Sequence, residues 1–220
     1  MRVLVTGGVG YFGSHLCKAL SEAGHLPVTF DDLSTGHRWA VDWGPVVIGH
    51  LADGDFVKQT LLDFEIEAVM HFATDEYVGA SVSDPPRQRQ DLWNGIALLD
   101  ALVEVGVHSL VFSSSHTVYG PHPQGGPNLK FGRALRWYGQ TQGLRTVSLR
   151  FLNDAGAHDS VRDYAQVTDL ALAHVQALDH LAGGGDSLEI YISTGRGYSV
   201  REVMAVAAKV AHRPSARRVE

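Results

Sequence analysis

Apolar and polar positions along this chain change rhythm repeatedly, from short unbroken apolar runs to stretches where apolar residues recur every three or four positions. Arg2 to Thr6 is a valine-rich run of the kind buried on both faces of a sheet. Phe12, Leu16, Ala19, Leu20 and Ala23 then share one face at helical spacing, with Gly24 just past the end. A second run, Leu26 to Phe30, finishes at Asp31, and Val46 to Ile48 predicts a short third strand. Residues Asp53 to Leu62 read as a helix with Asp53 as N-cap, and Ile66 to Ala73 as a fourth strand. Pro85 and Pro86 open a long helix to about Val105, closed by Gly106. Leu110 to Ser115 is a fifth strand ending in hydroxyls, 120–126 a loop, Leu129 to Gln140 a helix and Arg145 to Phe151 a sixth strand. Asp169 to Leu181 is helical, Gly183 to Gly185 a link and Leu188 to Ser193 a strand. A final helix has Ser199 as its cap.

Strands alternating with helices predict an α/β chain, a Rossmann-type doubly wound parallel sheet with a reduced C-terminal portion. Residues 1–155 are expected to form a dinucleotide-binding domain. Residues 156–220 are expected to pack on it within a single globular unit. The connection after the first strand carries Gly8, Gly10 and Gly13 in G-x-G-x-x-G spacing, which suits a tight turn, close approach to a pyrophosphate and close helix–strand contact. The helix that follows offers its positive N-terminus to phosphates. Asp31 lies about twenty residues on, where a carboxylate accepts the ribose hydroxyls of NAD and repels a 2′-phosphate. Ligands in such sheets sit beyond the strand C-termini, so Gly8–Gly13, Asp31, Phe72–Glu76, Ser113–His116 and Asn153 are expected to line one cleft.

A net charge of −6 without a basic run argues against nucleic acid as the main partner. The single cysteine, Cys17, has no internal disulfide partner and fits a reducing cytoplasm. The chain begins at once with a strand and holds no apolar run of membrane-spanning length, so neither a signal peptide nor a membrane anchor is expected. No histidine pair has a metal-ligand spacing, and no metal site is expected.

The segments VLVTGGVGYFGSH, DDLSTGH, FSSSHTVYG, RFLNDAG, VRDY and TGRGYSV together resemble the UDP-glucose 4-epimerases of the NAD-dependent epimerase/dehydratase family, which are extended short-chain dehydrogenases/reductases. The resemblance runs nearly end to end. It implies a tightly held NAD, a nucleotide-sugar substrate, a homodimer built through two helices, and hydride removal from and return to a sugar carbon. It places Gly7, Gly10, Tyr11, Phe12, Gly13, Asp31, Asp32, Ser34, Thr35, Gly36, Phe72 and Ala73 against the cofactor. Asn153 and Arg162 fall at positions that contact substrate phosphate, and Ser115 at the catalytic serine.

The family's Tyr-x-x-x-Lys pair is missing. None of the seven tyrosines has a lysine four residues later. An ungapped register places Gln124 and Asn128 at the two positions, and a second register places Phe131 and Leu135 there. Neither set supplies a phenolate with its pKa lowered by an adjacent ammonium. His50 stands where the family has an aspartate beside the adenine, Glu76 replaces a lysine and Leu92 an asparagine. Asp75, Glu76 and His116, just past the fourth and fifth strands, form a new polar set able to exchange protons. Three readings follow. One is an atypical NAD-binding epimerase/dehydratase-type enzyme in which ordinary UDP-galactose epimerisation is inefficient. The second is a non-redox isomerase, dehydratase or cyclase using Asp75, Glu76 and His116. The third is a non-catalytic NAD-binding scaffold or partner subunit. The retained Ser115, Asn153 and Arg162 incline the reading toward an enzyme.

Overall fold

Valine-rich strands need cover on both sides, and the sheet they form obtains it from two helical layers. The computed structural model describes residues 1–72, 85–115, 127–151 and 161–210. In chain order these form β1 (Arg2–Thr6), α1 (Tyr11–Glu22), β2 (Leu26–Asp31), a short 3-10 turn (Arg38–Ala40), β3 (Val46–Ile48), α2 (Gly54–Asp63) and β4 (Ala68–His71). There follow α3 (Pro85–Val105), β5 (Ser109–Ser115), α4 (Pro127–Gln142), β6 (Arg145–Phe151), β7 (Val161–Arg162), α5 (Val167–Ala182), β8 (Leu188–Ile192), β9 (Tyr198–Ser199) and α6 (Val200–Val210). Seven strands make one parallel sheet in the order β3-β2-β1-β4-β5-β6-β8. The order reverses direction at β1, between β2 and β4, which is the place such sheets bind ligands. β7 and β9 form a separate antiparallel ribbon.

Leu4 of β1 faces one core with Val28, Phe30, Val69 and Phe112, roofed by Val57 and Leu61 of α2, Leu98 and Leu102 of α3, and Leu135 of α4. Val3 and Val5 face the other, with Leu16 and Leu20 of α1 and Val175 and Leu178 of α5. Two-sided burial explains why the run is unbroken rather than alternating. Cys17 is part of this second core, where burial pushes its thiol up to about 11 and leaves it inert.

The predicted elements recur with small shifts. Asp53 caps α2, accepting the Phe56 N–H at 3.0 Å. Ser199 caps α6 in a reciprocal box: its hydroxyl accepts the Glu202 N–H, and the Glu202 carboxylate accepts the Ser199 N–H. β4 is shorter than the apolar run suggests, closing at His71. Gly95 lets α3 approach α4, since a Cβ there would stand 2.6 Å from the Phe131 ring. Much of the apolar surface of α3 is used internally. Leu99 and Leu102 are fully buried, and Leu92, Ile96 and Val103 pack against the same core. Tyr138 of α4 is buried and donates its hydroxyl to Asp100 of α3. Trp93 and Trp137 remain open, at 66% and 54% exposure. Glu189 of β8 ties the sheet edge together through the buried Arg150 of β6 at 2.7 Å and Arg136 of α4 at 2.9 Å. Among the described residues, no helix is long and apolar enough to cross a membrane.

Candidate cofactor and catalytic site

The turn between β1 and α1 is built by its own glycines. Gly7 has φ +72°, a left-handed conformation natural to glycine, and its N–H reaches back to the Phe30 carbonyl at 3.0 Å. Gly10 donates to the Gly7 carbonyl at 3.2 Å and precedes α1 as its N-cap. Gly13 sits where a Cβ would be 2.3 Å from that same carbonyl oxygen, so the helix starts as close to the strand as a backbone permits. No side chain caps α1 and its first turn holds no acid. The opening N–H groups of the helix therefore lack a side-chain acceptor at its positive end.

Asp31, at the end of β2, closes over this turn. Its Oδ2 accepts the Val9 N–H at 3.2 Å and its Oδ1 the Leu33 N–H at 2.9 Å. Burial raises its pKa, and the bonds from Leu33 and Val9 oppose that rise. Asp32 follows, with Oδ1 taking the Ser34 N–H at 2.9 Å. Thr35 is exposed, and Gly36 lies against Val9, so the 32–36 loop is seated on the glycine turn. Tyr11 is exposed, its ring edge-on to His15. Gly7, Gly10, Gly13, Asp31 and Gly36 are thus gathered at this one turn.

Beside the turn, an aromatic cluster forms at the C-terminal edge of the sheet. Phe12 of α1 packs edge-on to Phe72, just beyond β4, and to Phe151 at the end of β6, and all three rings contact His174 of α5. The His174 Nδ1 donates to the Leu170 carbonyl at 2.8 Å, while burial lowers its pKa to about 4. His71, at the end of β4, is also fully buried and lowered to about 4 by burial, with Nδ1 2.8 Å from the Thr6 hydroxyl. That hydroxyl oxygen accepts the Phe72 N–H at 3.2 Å. Motif reading passed over Phe151, His71 and His174. His174 shares the buried stripe Ala171, His174, Val175, Leu178, and a histidine inside an apolar stripe is the signal that marks it.

Ser115 closes β5, opposite Phe151 of β6 in register. Ser114, the residue before it, is buried at 4% exposure and points to the opposite face of the sheet. Arg162 lies in β7, its backbone paired with Tyr198. Asp75, Glu76, Ala73, His116 and Asn153 lie outside the described residues, as does Gln124. Phe131 and Leu135 are buried to 4% and 2% exposure, Phe131 against His71 and Phe112.

Residues 3–161 match the model of the NAD dependent epimerase/dehydratase family. The chain belongs to that family. It is 34% identical to a UDP-glucose 4-epimerase of Rhizobium meliloti (strain 1021), covering 97% of this chain and 83% of the relative. It is 35% identical to one of Azospirillum brasilense, covering 95% and 77%. The first alignment runs to 272 positions against a chain of 220 residues, so the relative carries internal segments that this chain does without. The fold matches a UDP-glucose 4-epimerase from Brucella ovis in complex with NAD, with a TM-score of 0.87, 33% identity and coverage of 94% of this chain and 82% of the other. It also matches the Thermus thermophilus UDP-glucose 4-epimerase in complex with NAD, with a TM-score of 0.86, 30% identity and coverage of 97% and 84%. This chain is thus related to NAD-dependent nucleotide-sugar 4-epimerases.

Proposed function

We propose that this chain binds NAD across the glycine turn and Asp31, and that it is an epimerase/dehydratase-type enzyme with non-standard catalytic residues. The observation that carries the cofactor reading is the uncapped N-terminus of α1, brought against β1 by Gly13 and closed over by Asp31. Gly7, Gly10, Tyr11, Phe12 and Gly13 hold the pyrophosphate. Asp31 and Asp32 hold the adenosine ribose, with Ser34, Thr35 and Gly36 beside them. Phe72 and Ala73 border the nicotinamide end. When bound, NAD supplies an acceptor that takes a hydride and returns it. A nucleotide sugar is the proposed substrate, its phosphates met by Asn153 and Arg162, and Ser115 with His116, Glu76 and Asp75 exchanges protons. The proposed setting is the cytoplasm and the proposed assembly a homodimer.

The absence of a Tyr-x-x-x-Lys pair removes the base that would take the sugar hydroxyl proton. General-base assistance is worth ~10²–10⁴-fold, so UDP-galactose epimerisation is expected to be slower by at least that factor. Calorimetric titration with NAD and NADP tests the cofactor reading. NAD should bind tighter, because a carboxylate beside a 2′-phosphate is repulsive. Equal or tighter NADP binding overturns it. A UDP-galactose/UDP-glucose interconversion assay tests the rest, and ordinary turnover by the unmutated protein refutes the non-standard chemistry. Should Glu76→Gln and His116→Ala change no activity in a nucleotide-sugar screen, the NAD-binding scaffold becomes the better account.

A further inference from the structure

The aromatic cluster at the C-terminal edge of the sheet is backed by a histidine that the core does not require. His174 of α5 is fully buried, while Phe12, Phe72 and Phe151 around it each keep part of their surface open. Ring centroids lie 4.9 Å from His174 to Phe72, 5.1 Å to Phe12 and 5.6 Å to Phe151. Phe72 follows β4 and Phe151 closes β6, and β5 lies between those two strands. His174 therefore bridges two strand ends that are not neighbours in the sheet. A carbonyl can only accept, so the Leu170 bond at 2.8 Å fixes the proton on Nδ1 and leaves a lone pair on Nε2. That Nε2 is buried and has no hydrogen-bond partner among the described residues.

A buried acceptor without a donor lowers stability, and the other residues of the same stripe, Ala171, Val175 and Leu178, pack into an apolar core. A leucine would fill the place without that cost. What histidine adds is a flat ring held in one orientation. The Nδ1–H bond to its own helix anchors the ring plane, 27° from that of Phe151, 42° from that of Phe72 and 66° from that of Phe12. Leucine offers neither the plane nor the anchor. We infer that His174 is a positioning residue for the nicotinamide end of the proposed site: its anchored ring holds Phe72, wedged with Phe12 and Phe151, in the orientation that meets the nicotinamide. The inference rests on the NAD reading above, in which Phe72 borders that end, and deepens it.

Titration of the full chain with NAD and with ADP-ribose, which keeps the adenosine and pyrophosphate but lacks nicotinamide, separates the two ends of the site. The unmutated protein should bind NAD more tightly. His174→Leu should weaken NAD about tenfold, the upper worth of one aromatic contact, while ADP-ribose affinity stays within about twofold. His174→Gln, which keeps a polar group but no rigid ring, should do the same, and it carries the test if the leucine variant does not fold. The emission of bound NADH gives a second reading, because its nicotinamide fluoresces, and it should move toward that of free NADH in either variant. A purely structural role would lower both affinities together. That result, or an unchanged ratio of NAD to ADP-ribose affinity in a folded variant, overturns the inference. Equal affinity of the unmutated protein for the two ligands also overturns it, and leaves the reading of the glycine turn and Asp31 standing. Failure to bind either ligand overturns the cofactor reading itself, and this inference with it.

Discussion

At Gly13 a single hydrogen in place of a methyl group sets how near α1 comes to the strand before it. An added Cβ would meet backbone, the Gly7 carbonyl and the Gly8 Cα, which cannot swing aside as a side chain can. Gly13→Ala should cost about 1–3 kcal/mol by overpacking. It should also weaken NAD binding more than tenfold, because the phosphate-facing end of the helix moves; paired melts and titrations check this. Buried histidines set the response to acid. His71 and His174 are neutral in the fold, with pKa values lowered by burial to about 4, below the ordinary histidine value of 6.5. The unfolded chain therefore binds protons that the fold refuses, and stability is complete above pH ~6.5 and falls as pH drops toward ~4. Melting temperature measured across that interval should decline, and His174→Leu, which removes one of the two titrations, should make the decline shallower. An identical slope in the variant would show that His174 does not titrate with unfolding.

Among the elements, α4 bears most directly on the chemistry. Its residues Phe131 and Leu135 are buried in the core, so the Tyr–Lys pair is better restored in the other register, at Gln124 and Asn128. The double variant Gln124→Tyr with Asn128→Lys should raise UDP-galactose epimerisation above the unmutated level, measured by coupled assay with NAD present. No gain would show that the missing internal segments limit the reaction as much as the missing base does. At the sheet edge, β8 depends on Glu189. Its removal in Glu189→Ala takes the carboxylate from Arg150, which is 3% exposed, and should destabilise the fold by about 1–3 kcal/mol in denaturant titration.

For the whole molecule the open question is assembly. α3 and α4 pack against each other through Gly95 and Phe131 and through the Tyr138–Asp100 bond, and they leave Trp93 and Trp137 on the surface. Two large apolar side chains on adjacent helices are the exposed anchors a homodimer would use. Light scattering at micromolar concentration should give twice the chain mass, and Trp93→Arg with Trp137→Arg should give a monomer. A monomer before mutation would refute the dimer.

The order of elements and the parallel class of the sheet are legible in the sequence because they rest on local rules. A strand buried on both faces must be apolar throughout, a helix roofing it must be apolar on one stripe, and Gly8, Gly10 and Gly13 at their spacing permit one kind of turn. Asp31 was legible for the same reason: its distance along the chain from the glycines is fixed by one helix and one strand. What only the tertiary structure decided lies between elements distant in sequence. The apolar positions of α3 do not tell that Leu99 and Leu102 are spent on the core while Trp93 is not. Nothing local marks Tyr138 as the partner of Asp100, or gathers Phe12, Phe72 and Phe151 around His174. Periodicity records which side of an element is buried, and only packing decides against what.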